Sequence, residues 1–178
     1  MVYQKEKSPM NNEYFDRLYN NKYFRASRPF QTNQARINEI TEKVFFYNPQ
    51  TILDVGCGLG VLVRHWRGLG KEAVGIDRAH ILKESWWKPE ETYFVPGKAT
   101  KLPFGDKSFD VVFSSDFFEH LPEDEIETVV NEMTRVGKTV LARIAFKADI
   151  TTKQARYHVT NQTKEWWEKK LGPRVIII

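Results

Sequence analysis

The stretch Thr51-Ile-Leu-Asp-Val-Gly-Cys-Gly-Leu-Gly60 decides the architecture. A short apolar run, Thr51 to Val55, ends at three glycines on alternate positions, Gly56, Gly58 and Gly60. The run reads as a buried strand, and glycine supplies the positive-φ turn that carries the chain off its end. A helix follows, because Leu59, Leu62, Val63 and Trp66 recur at i, i+3, i+4 and i+7, and Gly68 and Gly70 close it. Ala73-Val-Gly-Ile-Asp77 is a second strand. Strand, glycine turn, helix and strand together open a parallel sheet with a ligand edge.

The same alternation continues downstream. A short helix spans about 81–87, a third strand 93–95 and a fourth 109–115. Pro122 starts a helix whose acidic first turn, Glu123 to Glu125, suits the positive end of its dipole. Ile126, Val129, Val130, Met133 and Val136 give that helix its buried stripe, and Gly137 ends it. A fifth strand over 139–146, a helix over 162–171 and a last strand over 175–178 complete the pattern. Upstream, Ile37, Ile40 and Val44 mark a helix over 32–46. Residues 1–31 are an arm rich in Tyr and Phe (Tyr3, Tyr14, Phe15, Tyr19, Tyr23, Phe24, Phe30), broken by Asn20-Asn21 and Pro29 and expected to hold one or two short helices. The expected division is an arm or lid over 1–31 and one domain over 32–178. The fold class is α/β: a doubly wound, mostly parallel sheet with helices on both faces. Ligands of such sheets bind along the carboxyl ends of the strands, here 54–60, 77–78, 97–100, 114–120 and 146–158.

Composition narrows the functional classes. The chain has 178 residues, 41% hydrophobic and 28% charged, which is enough for one packed domain and unlike a disordered or fibrous chain. No apolar run approaches the roughly 18 residues of a membrane helix, and the first residues lack the apolar segment of a signal peptide. A single cysteine, Cys57, cannot form an internal disulfide, which fits a cytoplasmic protein. Charge is uneven. Residues 1–50 hold 8 basic and 5 acidic groups, 51–146 hold 12 and 15, and 147–178 hold 7 and 3. The centre is mildly acidic between basic flanks, and no polybasic tract marks a nucleic-acid or anionic-lipid surface.

Several chemistries are excluded by spacing. A dinucleotide fingerprint needs its third glycine at position 61, which is Val61. Gly137-Lys138-Thr139 resembles the end of a phosphate loop, but position 132 is Glu132 and a strand follows. Gly-x-Ser-x-Gly, His-Glu-x-x-His and Cys-x-x-Cys are absent, so no hydrolase elbow and no metal signature is present, and no metal is expected. The ligand suited to the loop is nucleoside-like without a pyrophosphate. Asp54 beside the loop suits a cationic group. Asp77, at the end of the second strand, can accept from both hydroxyls of a ribose, each charged hydrogen bond contributing about 1.5–3 kcal/mol.

Four motifs in order, Leu53-Asp-Val-Gly-Cys-Gly-Leu-Gly60, Gly75-Ile-Asp77, Leu102-Pro-Phe-Gly-Asp-Lys-Ser-Phe-Asp-Val-Val112 and Phe118-Glu-His-Leu121, resemble those of the class I S-adenosylmethionine-dependent methyltransferases, particularly the small single-domain type 11 group. The resemblance covers about residues 35–178. It implies S-adenosyl-L-methionine as cofactor. The backbone of Gly56, Cys57 and Gly58 would pass beneath its methionine part, Asp77 would hold the ribose, and Arg78 would lie by the adenine. Lys98 and Ala99 would edge the adenine, with the Ala99 amide as donor, and the Ser114 carbonyl would face the cofactor's amino group. Lys98 departs from the family, which often has Asp there; lysine cannot accept from the adenine amino group. The family's sheet has seven strands, and after residue 178 nothing remains for the seventh, so the expectation is a six-strand sheet with a gap, a dimer that fills it, or a truncated chain.

Two histidines sit where an acceptor would lie. His120 follows the fourth strand, as a residue that fixes the loop or as a proton acceptor. His158 lies between the fifth strand and the last helix. They are the catalytic candidates. The leading expectation is methyl transfer to a small-molecule or glycan acceptor; the stretch Arg156 to Thr160 is loosely similar to glycan- and lipid-pathway members. The alternatives are a nucleic-acid methyltransferase, against which Ser114-Ser115-Asp116-Phe117 stands in place of (Asp/Asn)-Pro-Pro-(Tyr/Phe), and a non-catalytic cofactor-binding scaffold.

Overall fold

A computed structural model describes residues 19–146 and 157–178, apart from the side chains of residues 80, 81 and 85. Tyr3, Tyr14 and Phe15 of the arm, and residues 147–156 of the expected ligand edge, lie outside the described residues. The elements are α1 (Asn21–Gln31), α2 (Gln34–Phe45), β1 (Thr51–Val55), α3 (Val61–Gly68), β2 (Glu72–Asp77), α4 (His80–Ser85), β3 (Phe94–Pro96), β4 (Phe109–Ser115), α5 (Glu123–Val136), β5 (Gly137–Arg143), α6 (Lys164–Leu171) and β6 (Ile176–Ile177). The six strands form one sheet in the order β3-β2-β1-β4-β5-β6. Every neighbouring pair is parallel. Strand order reverses between β1 and β4, which puts the crevice for a ligand at the ends of those two strands.

Alternation along the central strands splits the core into two layers. Val112 of β4 and Leu53 of β1 pack with Ile126, Val129, Val130 and Met133 of α5 and with Trp167 and Leu171 of α6. Val111, Phe113 and Ile52 point the other way, onto Ile37, Ile40 and Val44 of α2 and Leu62, Val63 and Trp66 of α3. Both faces are therefore covered, as an all-parallel sheet requires. Each fully buried aliphatic in these stripes contributes about 1.5–3 kcal/mol relative to exposure.

Two details depart from the sequence reading and one adds to it. The arm is not broken at Pro29: α1 runs through it to Gln31, capped at its start by Asn20, whose side chain accepts from the Lys22 and Tyr23 amides. Pro29 lies in the last turn, where its missing N–H removes a single bond and the helix is about to end in any case. The arm helix also buries Phe24 in the core layer of α2 and α3, with Tyr19 and Tyr23 packed against that layer. Finally, the sheet has the expected six strands among the described residues, but no gap. β6 pairs directly with β5, Ile176 opposite Leu141 and Ile177 opposite Ala142, so no second chain is needed to fill a space there.

Candidate functional site

The glycine turn after β1 is shaped by what surrounds it. Gly56 has φ +76°, and a Cβ there would lie 2.4 Å from the Phe117 ring; Gly60 has φ +73°, and a Cβ would lie 2.1 Å from the Phe94 ring. Neither position admits a side chain, so the turn folds tightly against β2, with the Gly56 and Cys57 amides both donating to the Ile76 carbonyl. Its outer surface is bare backbone.

A cavity of about 420 Å³ opens over this turn, at the carboxyl ends of β1, β2 and β4, within the size range of small-molecule sites. Of the sequence-derived cofactor residues, Asp54, Gly56, Cys57, Gly58, Asp77, Arg78, Lys98 and Ala99 all line it. Ser114 does not. It is fully buried, and its hydroxyl finds no partner among the described residues. The next two residues, Ser115 and Asp116, stand at the cavity instead. The side chain of Ser114 belongs to the packed interior of β4, while the group expected to face the cofactor is its backbone carbonyl.

Two carboxylates give the cavity its acidic floor. The Gly58 amide donates to Oδ2 of Asp77 and the Ala79 amide to Oδ1, both at 3.0 Å. These bonds fix the carboxylate while each oxygen keeps a further lone pair for a hydroxyl. Burial raises the Asp77 pKa above the ordinary carboxylate value, and the amides pull against that rise. Asp54 is buried with no hydrogen-bond donor on its carboxylate among the described residues, and burial pushes it up to about 7. A carboxylate in this state gains from a cation placed in the cavity. Cys57 is a buried thiol with a raised pKa, packed against Gly75, and behaves as a small apolar residue.

The other wall is built from distant segments. Asp116 sits just beyond β4 at φ +50°, an uncommon conformation for a non-glycine residue. Arg36 of α2 pairs with Asp116 Oδ2 and also donates to Ser115 Oγ at 2.7 Å. Arg143 at the end of β5 donates to Asp116 Oδ1 at 2.7 Å. From α1, Gln31 Oε1 accepts from the Leu59 amide of the glycine turn at 3.1 Å, which ties the arm helix to the turn. Arg36 and Gln31 were missed by the sequence reading. Helical periodicity assigns them to exposed faces, and no local pattern reports that a fold brings them to one wall.

Both histidine candidates come together. Their rings lie 4.8 Å apart, edge to face. His120 lines the cavity, and its Nδ1 lies 2.9 Å from the Tyr157 carbonyl and 2.9 Å from the Tyr19 hydroxyl. A carbonyl only accepts, so Nδ1 carries the proton and Nε2 keeps a lone pair. Burial lowers the His120 pKa to about 4, so the ring is neutral. His158 does not line the cavity, and its Nδ1 is buried without a partner among the described residues. Glu119, between Phe118 and His120 in a single 3₁₀ turn, is fully buried. Its Oε1 accepts from the Ala145 amide at 3.1 Å, and burial pushes its pKa up to about 8.

Comparisons with known proteins agree with this geometry. The family model "Methyltransferase domain" matches residues 53–139, which run from β1 into β5. A sterol 24-C-methyltransferase of Gibberella zeae is 36% identical over 95 residues, covering 49% of this chain and 24% of that protein. A tRNA U34 carboxymethyltransferase of Pasteurella multocida is 32% identical over 114 residues, covering 58% of this chain and 35% of that one. The chain spans about a quarter to a half of the length of the curated relatives it matches first. A structure titled a SAM-dependent methyltransferase, from Archaeoglobus fulgidus, shares the fold, with a TM-score of 0.67 at 20% identity over 84% of this chain and 72% of that one. Among the described residues no helix is long and apolar enough to cross a membrane. The glycine turn, the acid at the end of β2 and the family match all fall on the same edge of the same sheet, so residues 53–139 carry the methyltransferase domain that the family model describes.

Proposed function

We propose that the chain binds S-adenosyl-L-methionine over the glycine turn and directs its methyl group to a small-molecule or glycan acceptor. The observation that carries this reading is the Asp77 carboxylate, buried at the cavity floor and preset by the Gly58 and Ala79 amides. The bound cofactor supplies a methyl group on a cationic sulfur, which an acceptor displaces in line. Asp77 holds the ribose hydroxyls, and Asp54 supplies a negative charge where the cofactor carries a positive one. Gly56, Cys57 and Gly58 present backbone without side chains in the way. The adenine lies by Arg78 and Ala99, with Lys98 at the rim, where it cannot accept from the adenine amino group. This division of the wall needs no oxyanion site, because charge disperses as the reaction proceeds. Alignment alone can contribute about 7–11 kcal/mol.

The acceptor side is the wall of Tyr19, Tyr23, Asp116 and His120. It is compact and roofed by α1, which favours a small acceptor over a duplex or a folded RNA. Arg36 and Arg143 are committed to Asp116 and do not offer a basic track. His120, neutral and of low basicity, holds an acceptor better than it deprotonates one.

Calorimetry with the cofactor and its demethylated product tests the first half. Micromolar or tighter binding is expected, and no measurable heat or thermal shift with either would leave a scaffold role. A transfer screen with methyl-labelled cofactor over metabolite, glycan and RNA pools tests the second half. Label in RNA alone would overturn the small-acceptor reading. Within that screen, His120→Ala is expected to lower turnover 10- to 100-fold, while product-nucleoside affinity moves less than threefold. Equal losses in both would make His120 a loop-fixing residue.

A further inference from the structure

Glu119, His120 and His158 form a cluster at the edge of the acceptor wall, of which only His120 reaches the cavity. One donor atom from each lies within 4.8 Å of the other two. Two of the three residues carry buried polar atoms with no partner among the described residues, Oε2 of Glu119 and Nδ1 of His158. Leaving such atoms unmet costs about 1–3 kcal/mol each, so a fold that keeps two of them within one three-residue cluster is compensated by something that meets them.

We propose that Glu119, His120 and His158 bind a divalent first-row metal ion at the wall of the cavity, with coordination positions left open for an oxygen of the methyl acceptor. The donor set is two imidazoles and one carboxylate, a set that zinc, iron and cobalt take with positions to spare. His120 already has the outer support of a metal ligand: its Nδ1–H points at the Tyr157 carbonyl, which leaves Nε2 as the coordinating nitrogen. Glu119 is supported in the same way, its Oε1 fixed by the Ala145 amide while Oε2 stays open.

The backbone around the three is knit together. The Thr160 amide donates to the Glu119 carbonyl at 3.0 Å, and the Thr160 hydroxyl donates to the Leu121 carbonyl at 2.6 Å. These bonds clip the segment of His158 to the turn of Glu119 and His120. At metal–ligand bonds of about 2.0–2.2 Å, tetrahedral donors stand about 3.4 Å apart, so loading draws the side chains inward by about an ångström. Asp116 is not a ligand, since Arg36 and Arg143 occupy its carboxylate. The charge of the ion offsets that of Glu119. His120 is the member that reaches the cavity, so a ligand of the ion enters from the acceptor side. A water bridging Glu119 and His158 is the competing occupant.

The ion-binding half stands on these contacts alone; the acceptor half rests on the methyltransferase reading. The full chain, stripped with a chelator, is titrated with Co²⁺ and then challenged with Zn²⁺. One equivalent is expected to bind, giving the visible absorption of nitrogen- and oxygen-ligated Co²⁺, with Zn²⁺ displacing it. Glu119→Gln, which keeps the shape of the side chain, and His158→Ala are each expected to weaken binding by about 100-fold or more, above the loss typical of a supporting residue. Wild type that takes up no stoichiometric ion overturns the proposal, whatever the variants do. So do variants that bind the ion as tightly as wild type. Acetohydroxamate, a small oxygen chelator, is expected to shift the Co²⁺ spectrum, and an unchanged spectrum overturns the open-position half. Product-nucleoside affinity is measured on the same wild-type sample. Ion binding without nucleoside binding would sink the methyltransferase reading and spare the metal site, and the reverse result would sink the metal site alone.

Discussion

The two walls of the cavity are made in different ways. The floor beneath β1 and β2 is backbone and carboxylate from one stretch, residues 54–79, and its contacts span short separations: Gly58 to Asp77 and Ala79 to Asp77. The wall beyond β4 is assembled from side chains far apart in the chain. Tyr19 meets His120 across 101 residues, Arg36 meets Asp116 across 80, and His120 meets Tyr157 across 37. A shared ligand chemistry can be carried by a local backbone device. On the proposed function, acceptor choice falls to long-range side-chain pairs, which can change one at a time without disturbing the turn.

That contrast breaks first at the turn itself. Gly60→Val places a Cβ against the Phe94 ring at a φ that valine does not tolerate, and a loss of about 3–5 kcal/mol of folding stability is expected. An unfolding free energy from denaturant titration within about 0.5 kcal/mol of wild type would show that the turn is not backbone-determined.

Asp54 gives the next effect, and its sign follows from burial. Its folded pKa of about 7 is above the unfolded value, so its contribution is fully present below about pH 4 and is lost as pH rises through 7. Asp54→Asn is therefore expected to stabilise the ligand-free protein by a few kcal/mol at pH 8, with the advantage shrinking toward zero at pH 4. It is also expected to weaken binding of the cationic cofactor more than of its neutral-sulfur product. Thermal midpoints of both proteins across that range check the first part, and a constant offset at all pH values would contradict it.

Asp77→Ala is expected to cost about 1.5–3 kcal/mol of cofactor affinity by calorimetry, and unchanged affinity would remove the ribose role. The smallest effect belongs to the link between the two walls. Gln31→Ala frees the Leu59 amide and is expected to cost about 1 kcal/mol of stability, with a faster product-nucleoside off-rate in stopped flow. An unchanged off-rate would mean that α1 is a static roof.

The sequence disclosed the floor and concealed much of the wall for one physical cause. A strand that ends in alternating glycines and a strand that ends in Asp are local backbone statements, readable from Thr51 to Asp77. His120 and His158 were also readable, His120 because it follows a strand end and His158 because it lies between the fifth strand and the last helix. Their edge-to-face contact was not, since it depends on how residues 157–160 fold back on the turn at Phe118–His120. Arg36 looked like an ordinary helix residue, and only the sheet order brings α2 to Asp116. β6 illustrates the same point at the sheet edge: its two residues pair with β5 through backbone bonds that no side-chain pattern announces.

The ring beneath Gly60 has one more consequence. Phe94 is stacked 5.0 Å from Trp87, and the Trp87 indole N–H donates to the Gly58 carbonyl at 3.2 Å. A fluorophore is thus wired by nature to the floor of the cleft. Any occupant that nudges Gly58 changes the polarity felt by that indole, so the protein's own emission spectrum doubles as a label-free gauge of filling.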